Sequence, residues 1–104
     1  MFKVFKVSGT SMSPTLVPGD YILATNLFRK FVFKNTIVIF FDKYSSFVIK
    51  RVLKNNNKTV MLKNDNEKTS SIFCNKPLNK NQIKYRVLLK LRLSRKKKLT
   101  QKFF

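Results

Sequence analysis

Histidine and tryptophan are absent from this chain of 104 residues, cysteine occurs once, glycine twice and acidic side chains four times. Without imidazole there is no Ser-His-Asp triad, no Cys-His dyad and no histidine metal site. The lone thiol, Cys74, excludes an internal disulfide framework and thiolate zinc modules, and it reads as a small buried hydrophobe. Asp20, Asp42, Asp65 and Glu67 are too few and too scattered for a two-metal carboxylate centre. The longest apolar run, residues 37–41, is about a quarter of the roughly 20 residues that a spanning helix needs, so no transmembrane segment is expected. Nor is a secretory leader, since only eight residues precede Gly9. Any hydrolysis has to run on hydroxyls, lysines and backbone amides, with no cofactor.

What is abundant is base and phenylalanine. Lys and Arg total 23, the formal net charge is +19, and 11 Phe supply much of the 43% hydrophobic content. Such a charge predicts attraction to polyanions, at the least weak and non-specific. The crowding with Lys, Asn, Phe and Ile also fits compositional drift in an A+T-rich genome, in which case the charge has no role. Interleaved segments such as Phe28-Arg29-Lys30-Phe31 could stack bases above phosphates, which keeps a basic nucleic-acid-binding module open as an alternative. Against it, no recognition helix, RNP-like strand pair or Gly-x-x-Gly clamp can be read.

The periodicity is that of strands. Residues 2–7 stop at Ser8-Gly9, and Pro18-Gly19 marks a turn before Tyr21-Ile22-Leu23. Residues 26–34 read as a basic loop or short edge strand. Residues 36–41 and 47–53 are buried-strand candidates, and Asn55-Asn56-Asn57 turns the latter into 59–63. Residues 65–71 are polar loop, and 83–93 a last strand or short helix. The expected fold is mostly β: one small antiparallel domain over residues 1–93, with a solvated basic C-terminal tail over 94–104.

Chemistry concentrates at Gly9-Thr10-Ser11-Met12-Ser13-Pro14-Thr15-Leu16-Val17-Pro18-Gly19-Asp20. A strand ends on a glycine, and a hydroxyl follows on a tight turn whose free amides suit an oxyanion hole. A second stretch, Phe47-Val48-Ile49-Lys50-Arg51-Val52-Leu53, sets one lysine among aliphatic residues. Period two places Val48 and Val52 on the face of Lys50 and turns Arg51 toward water. A free lysine has a pKa of about 10.4, and desolvation is what lowers it enough to act as a base near neutrality. The 39-residue separation of Ser11 and Lys50 leaves room for two connecting strands.

The first stretch resembles the nucleophile box of the signal peptidase I (S26) family of Ser/Lys peptidases, Gly-x-Ser-Met-x-Pro-Thr-Leu-x-x-Gly-Asp, with all eight fixed positions filled. The resemblance implies Ser11 as nucleophile and Lys50, in a Lys-Arg-Val box, as general base, with Gly9 and Met12 in supporting positions. Some relatives carry a hydroxyl donor where Gly9 stands. A third box is eroded: Asp65-Asn66 and Ser70 are kept, Asn64 replaces a Gly, and Ile72-Phe73-Cys74 stands in place of Asp-Ser-Arg. Ser70 would then orient Lys50, beside a looser pocket wall.

The implied fold is the small antiparallel β catalytic core shared with LexA-like self-cleaving repressors. Those carry a DNA-binding domain and an Ala-Gly or Cys-Gly cleavage site upstream, neither of which is read here. The short, unanchored, cytoplasmic branch is the nearest likeness, and its members are proposed to trim leaders from nickel superoxide dismutase precursors. The implied partner is a precursor protein or leader peptide. An inactive, peptide-binding relative is the remaining alternative.

Overall fold

The computed structural model describes residues 1–44, 46–69, 74, 76–93 and 99–104. Among these residues, eight strands form one antiparallel sheet: β1 (Phe2–Lys6), β2 (Tyr21–Thr25), β3 (Ile37–Phe41), β4 (Phe47–Asn55), β5 (Thr59–Lys63), β6 (Leu78–Asn79), β7 (Tyr85–Leu93) and β8 (Leu99–Phe103). Their spatial order is β1-β2-β7-β3-β4-β5-β6, with β8 against β7. A 3-10 turn, Lys80–Gln82, precedes β7 and is capped by the Asn79 side chain. Among the described residues no helix is long and apolar enough to cross a membrane.

The core forms two clusters, one on each side of β3. Ile37 and Ile39 join Phe5, Met12, Leu16, Ile22 and Val87, whereas Val38 pairs with Phe40, Val52, Leu62 and Ile83 on the other side. That two-sided burial explains why β3 reads as an unbroken apolar run rather than an alternation. β4 lies beside it in register, with Ile49 opposite Ile39 and Lys50 opposite Val38. Lys50 therefore shares a face with the second cluster, to which Val48 and Val52 also belong. The aliphatic flanking expected from strand period is present.

Of the two readings open for residues 83–93, the strand holds, from Tyr85 to Leu93. One expectation needs correcting. The tail expected to be solvated beyond residue 93 is partly sheet: Leu99 to Phe103 pairs antiparallel with Leu93 to Leu89. Every residue of β8 is nonetheless exposed, so the strand adds ladder hydrogen bonds without adding core. The basic run before it hid the pairing, because an edge strand needs backbone partners and no apolar face. Residues 94–98, the most basic run, lie outside the described residues.

Candidate active site

The segment from β1 to β2 leaves the sheet and returns to it at adjacent points. Val7 N–H donates to the Asp20 carbonyl, and Gly19 N–H donates to the Val7 carbonyl, at 2.8 and 2.9 Å. Between those ties, Met12 and Leu16 are buried in the first core cluster and pin the loop from inside. Gly9 and Gly19 take φ of +78° and +96°, and a Cβ at either would meet nothing within 4 Å. The left-handed backbone, rather than lack of space, calls for glycine at both. The Ser13–Pro14 peptide is cis.

This loop sets Ser11 against β4, where Lys50 Nζ lies 3.1 Å from Ser11 Oγ. Lys50 is only 5% exposed. Desolvation among aliphatic side chains holds its pKa below the ordinary lysine value, with Cys74 acting weakly the other way. A small cleft of about 140 Å³ opens over the pair, between residues 7–12 and the start of β4 at Phe47 and Val48. Ser11 N–H makes no hydrogen bond to another described residue, which leaves it available to an oxyanion.

Of the residues singled out in the sequence, the fold brings Ser11, Lys50, Gly9 and Met12 to this cleft. Ser70 lies outside the described residues, so the fifth has no placement. Cys74 differs from its expected role: it is half-buried beside a polar group, and its thiol donates to Asn64 Oδ1 at 3.7 Å. Among the described residues no cluster of three His, Cys, Asp or Glu could hold a metal ion.

The retained Asp65-Asn66 pair has a part that the sequence did not disclose. Asn66 donates twice to the Ser11 loop, from its amide to the Ser11 carbonyl and from Nδ2 to the Thr10 carbonyl, each at 2.9 Å. Asp65 accepts from the Thr15 hydroxyl and, through both oxygens, from Arg51 at 2.7 and 2.8 Å. Arg51, expected to face open water, is thus spent on Asp65 and on the Asn35 carbonyl. Burial works to raise the pKa of Asp65, but the hydrogen bonds from Arg51 and Thr15 outweigh it and hold the carboxyl below its usual range.

The other end of the loop is braced the same way. Asp20 accepts from Arg92 at 2.8 and 2.9 Å and from Val17 N–H, while Lys90 Nζ donates to the Thr15 carbonyl at 2.6 Å. The available signal was scarcity. In a chain with four acids, two of them inside or beside the motifs had cations to hold.

The model of the Peptidase S24-like family matches residues 2–87, which include the loop, both members of the close pair and the Asp65-Asn66 brace. The chain belongs to that family. A search of curated proteins finds no significant match. Membership of the Peptidase S24-like family places the chain in the superfamily of Ser/Lys-type peptidases that spans LexA and the signal peptidases, and the mostly antiparallel β fold agrees with it. The family match is broader than the signal peptidase branch suggested by the nucleophile box.

Proposed function

We propose that the protein is a serine endopeptidase in which Lys50 is general base to Ser11, and that it removes an N-terminal leader from a precursor protein. The observation that carries this reading is the 3.1 Å approach of a desolvated lysine to a loop-borne hydroxyl. A neutral Lys50 amine accepts the Ser11 proton as Oγ attacks the scissile carbonyl, forming the Oγ–C bond and an oxyanion that the Ser11 amide stabilises. The same ammonium then protonates the departing amine as the C–N bond breaks, leaving an acyl-enzyme. Water, deprotonated by Lys50, releases the acyl group and regenerates the hydroxyl.

A nickel superoxide dismutase precursor, in the cytoplasm, is the substrate suggested by the resemblance of the nucleophile box. Ser11→Ala and Lys50→Ala are each expected to lower cleavage of such a precursor by at least about a thousandfold with the fold retained. The measurement is cleavage rate followed by mass spectrometry, with circular dichroism as the fold control. Near wild-type cleavage by either variant would overturn the dyad. Full dyad-dependent activity on unrelated leaders, with this precursor left intact, would overturn the substrate alone.

A further inference from the structure

Between β2 and β3, residues 26–36 form a loop whose inner and outer sides differ sharply. Inward, Val32 is 2% exposed within the second core cluster, and Asn55 Nδ2 donates to its carbonyl at 2.9 Å. Arg29 is turned to the protein as well, donating to the carbonyls of Asn81 and Ile83 at 3.1 and 2.6 Å. Outward, Phe28, Phe31 and Phe33 are each 67% exposed. The loop is held firmly, so these rings stand in water by construction. Phe28 even adopts φ of +52°, a costly conformation for a bulky side chain, and such strain clusters at functional positions.

The patch continues onto neighbouring segments. Thr25 Oγ1 and Asn26 N–H both donate to the Met1 carbonyl, which brings exposed Met1 and Phe2 beside the loop. Phe31 and Phe33 share a groove with Phe104, Lys34 and Arg86. Exposed Lys30 and Lys34 alternate with the rings along the chain, no acidic side chain occurs from residue 26 to 36, and neither lysine has an ion pair among the described residues. Large exposed apolar patches with a basic rim mark interaction sites.

We propose that this loop docks the protein peripherally on an anionic lipid bilayer, with the Phe28, Phe31 and Phe33 rings entering the headgroup boundary and Lys30 and Lys34 meeting lipid phosphates. Exposed aromatic and basic side chains interleaved along one anchored loop match the chemistry of that boundary, apolar below and negative above. Single-stranded nucleic acid suits the patch less well. Phe28 and Phe31 meet edge to face, with centroids 5.9 Å apart, so one ring's edge already occupies the other's face, where a base would stack.

The test is co-sedimentation of the full chain with vesicles of phosphatidylcholine alone and of phosphatidylcholine with phosphatidylglycerol. We expect binding to the anionic vesicles, part of it surviving about 1 M salt, where the Debye length is near 3 Å. Phe28→Ser/Phe31→Ser/Phe33→Ser is expected to weaken binding at least about tenfold and to make the remainder salt-labile. Unchanged vesicle binding by that variant, or no binding by the wild type, would overturn the proposal. So would an oligonucleotide affinity that falls with the triple change while vesicle binding does not. Because the chain has no tryptophan, Phe31→Trp supplies a reporter that leaves the other rings in place. Its emission should shift to the blue on anionic vesicles and be quenched by brominated lipid, and an unshifted, unquenched emission on saturating vesicles would sink the idea independently.

Discussion

The base role proposed for Lys50 rests on where its ammonium cannot go. Water is excluded from it by β3 and by its own strand neighbours, and desolvation disfavours the charged form. Two consequences follow at this residue. Under the proposed mechanism, peptidase rate should rise with pH through an apparent pKa below the ordinary lysine value of about 10.4, and a rising limb found only near that value would contradict it. The second concerns stability. In the unfolded chain Lys50 binds its proton up to about pH 10.4, whereas the folded chain releases it at lower pH. Between the two pKa values the unfolded state holds more protons, so stability rises with pH there. Lys50→Met, which keeps the bulk and removes the amine, should therefore melt higher than wild type. That gain should be full below the folded pKa and shrink as pH approaches 10.4, a pattern that calorimetry across pH reads directly.

At the level of elements, the loop that carries Ser11 is a long excursion between two short strands, and three kinds of tie keep it in one shape. Buried Met12 and Leu16 anchor it to the core, Asn66 holds the backbone around Ser11, and two acids link it to distant strands through Arg51 and Arg92. The Asp65 brace reaches from the turn after β5 to Thr15 on the loop and Arg51 on β4, so it joins the supports of both Ser11 and Lys50. Asp65→Asn should cost about 2–4 kcal/mol, because Arg51 loses the charge it is paired with in a largely enclosed site. Denaturant melts measure that cost. The same variant should lower kcat more than it raises KM, since the loop's position serves the reacting atoms. Stabilisation from the depressed carboxyls of Asp65 and Asp20 should be complete above the unfolded value of about 3.9 and be lost as pH falls through their folded values. A melt of Asp65→Asn that matches wild type at neutral pH would show that the brace carries no weight.

Across the whole molecule the dominant quantity is charge. Of the four acids, two are tied to arginines, and Asp42 accepts from the Tyr44 and Ser46 amides, so most of the +19 is unopposed by ion pairs among the described residues. A field of that size steers encounter with acidic partners over roughly a Debye length and hardly touches a desolvated pair of side chains. With an acidic precursor, kcat/KM should fall steeply with salt while kcat stays level. Replacing Lys96, Lys97 and Lys98 by Gln should lower kcat/KM at low salt and flatten that dependence. Steady-state kinetics over a salt series on both proteins checks this, and identical salt slopes would leave those three charges without a part in encounter.

Strand positions from β1 to β5, the Asn-rich turn and the two residues of the close pair were legible in the sequence because they depend on local chemistry. Alternation, turn residues and a motif with eight fixed positions are properties of short segments. Legibility failed where partners are far apart in the chain. Arg51 looks like a surface charge until Asp65 is folded against it, and β8 looks like a tail until β7 offers its edge. Composition alone ruled out imidazole and thiolate-cluster chemistry and left hydroxyl and lysine. Only the tertiary structure closes the 39-residue separation of Ser11 and Lys50 to 3.1 Å and buries the amine. Proximity and desolvation belong to the packed sheet, since neither exists for a lysine in an isolated strand surrounded by water.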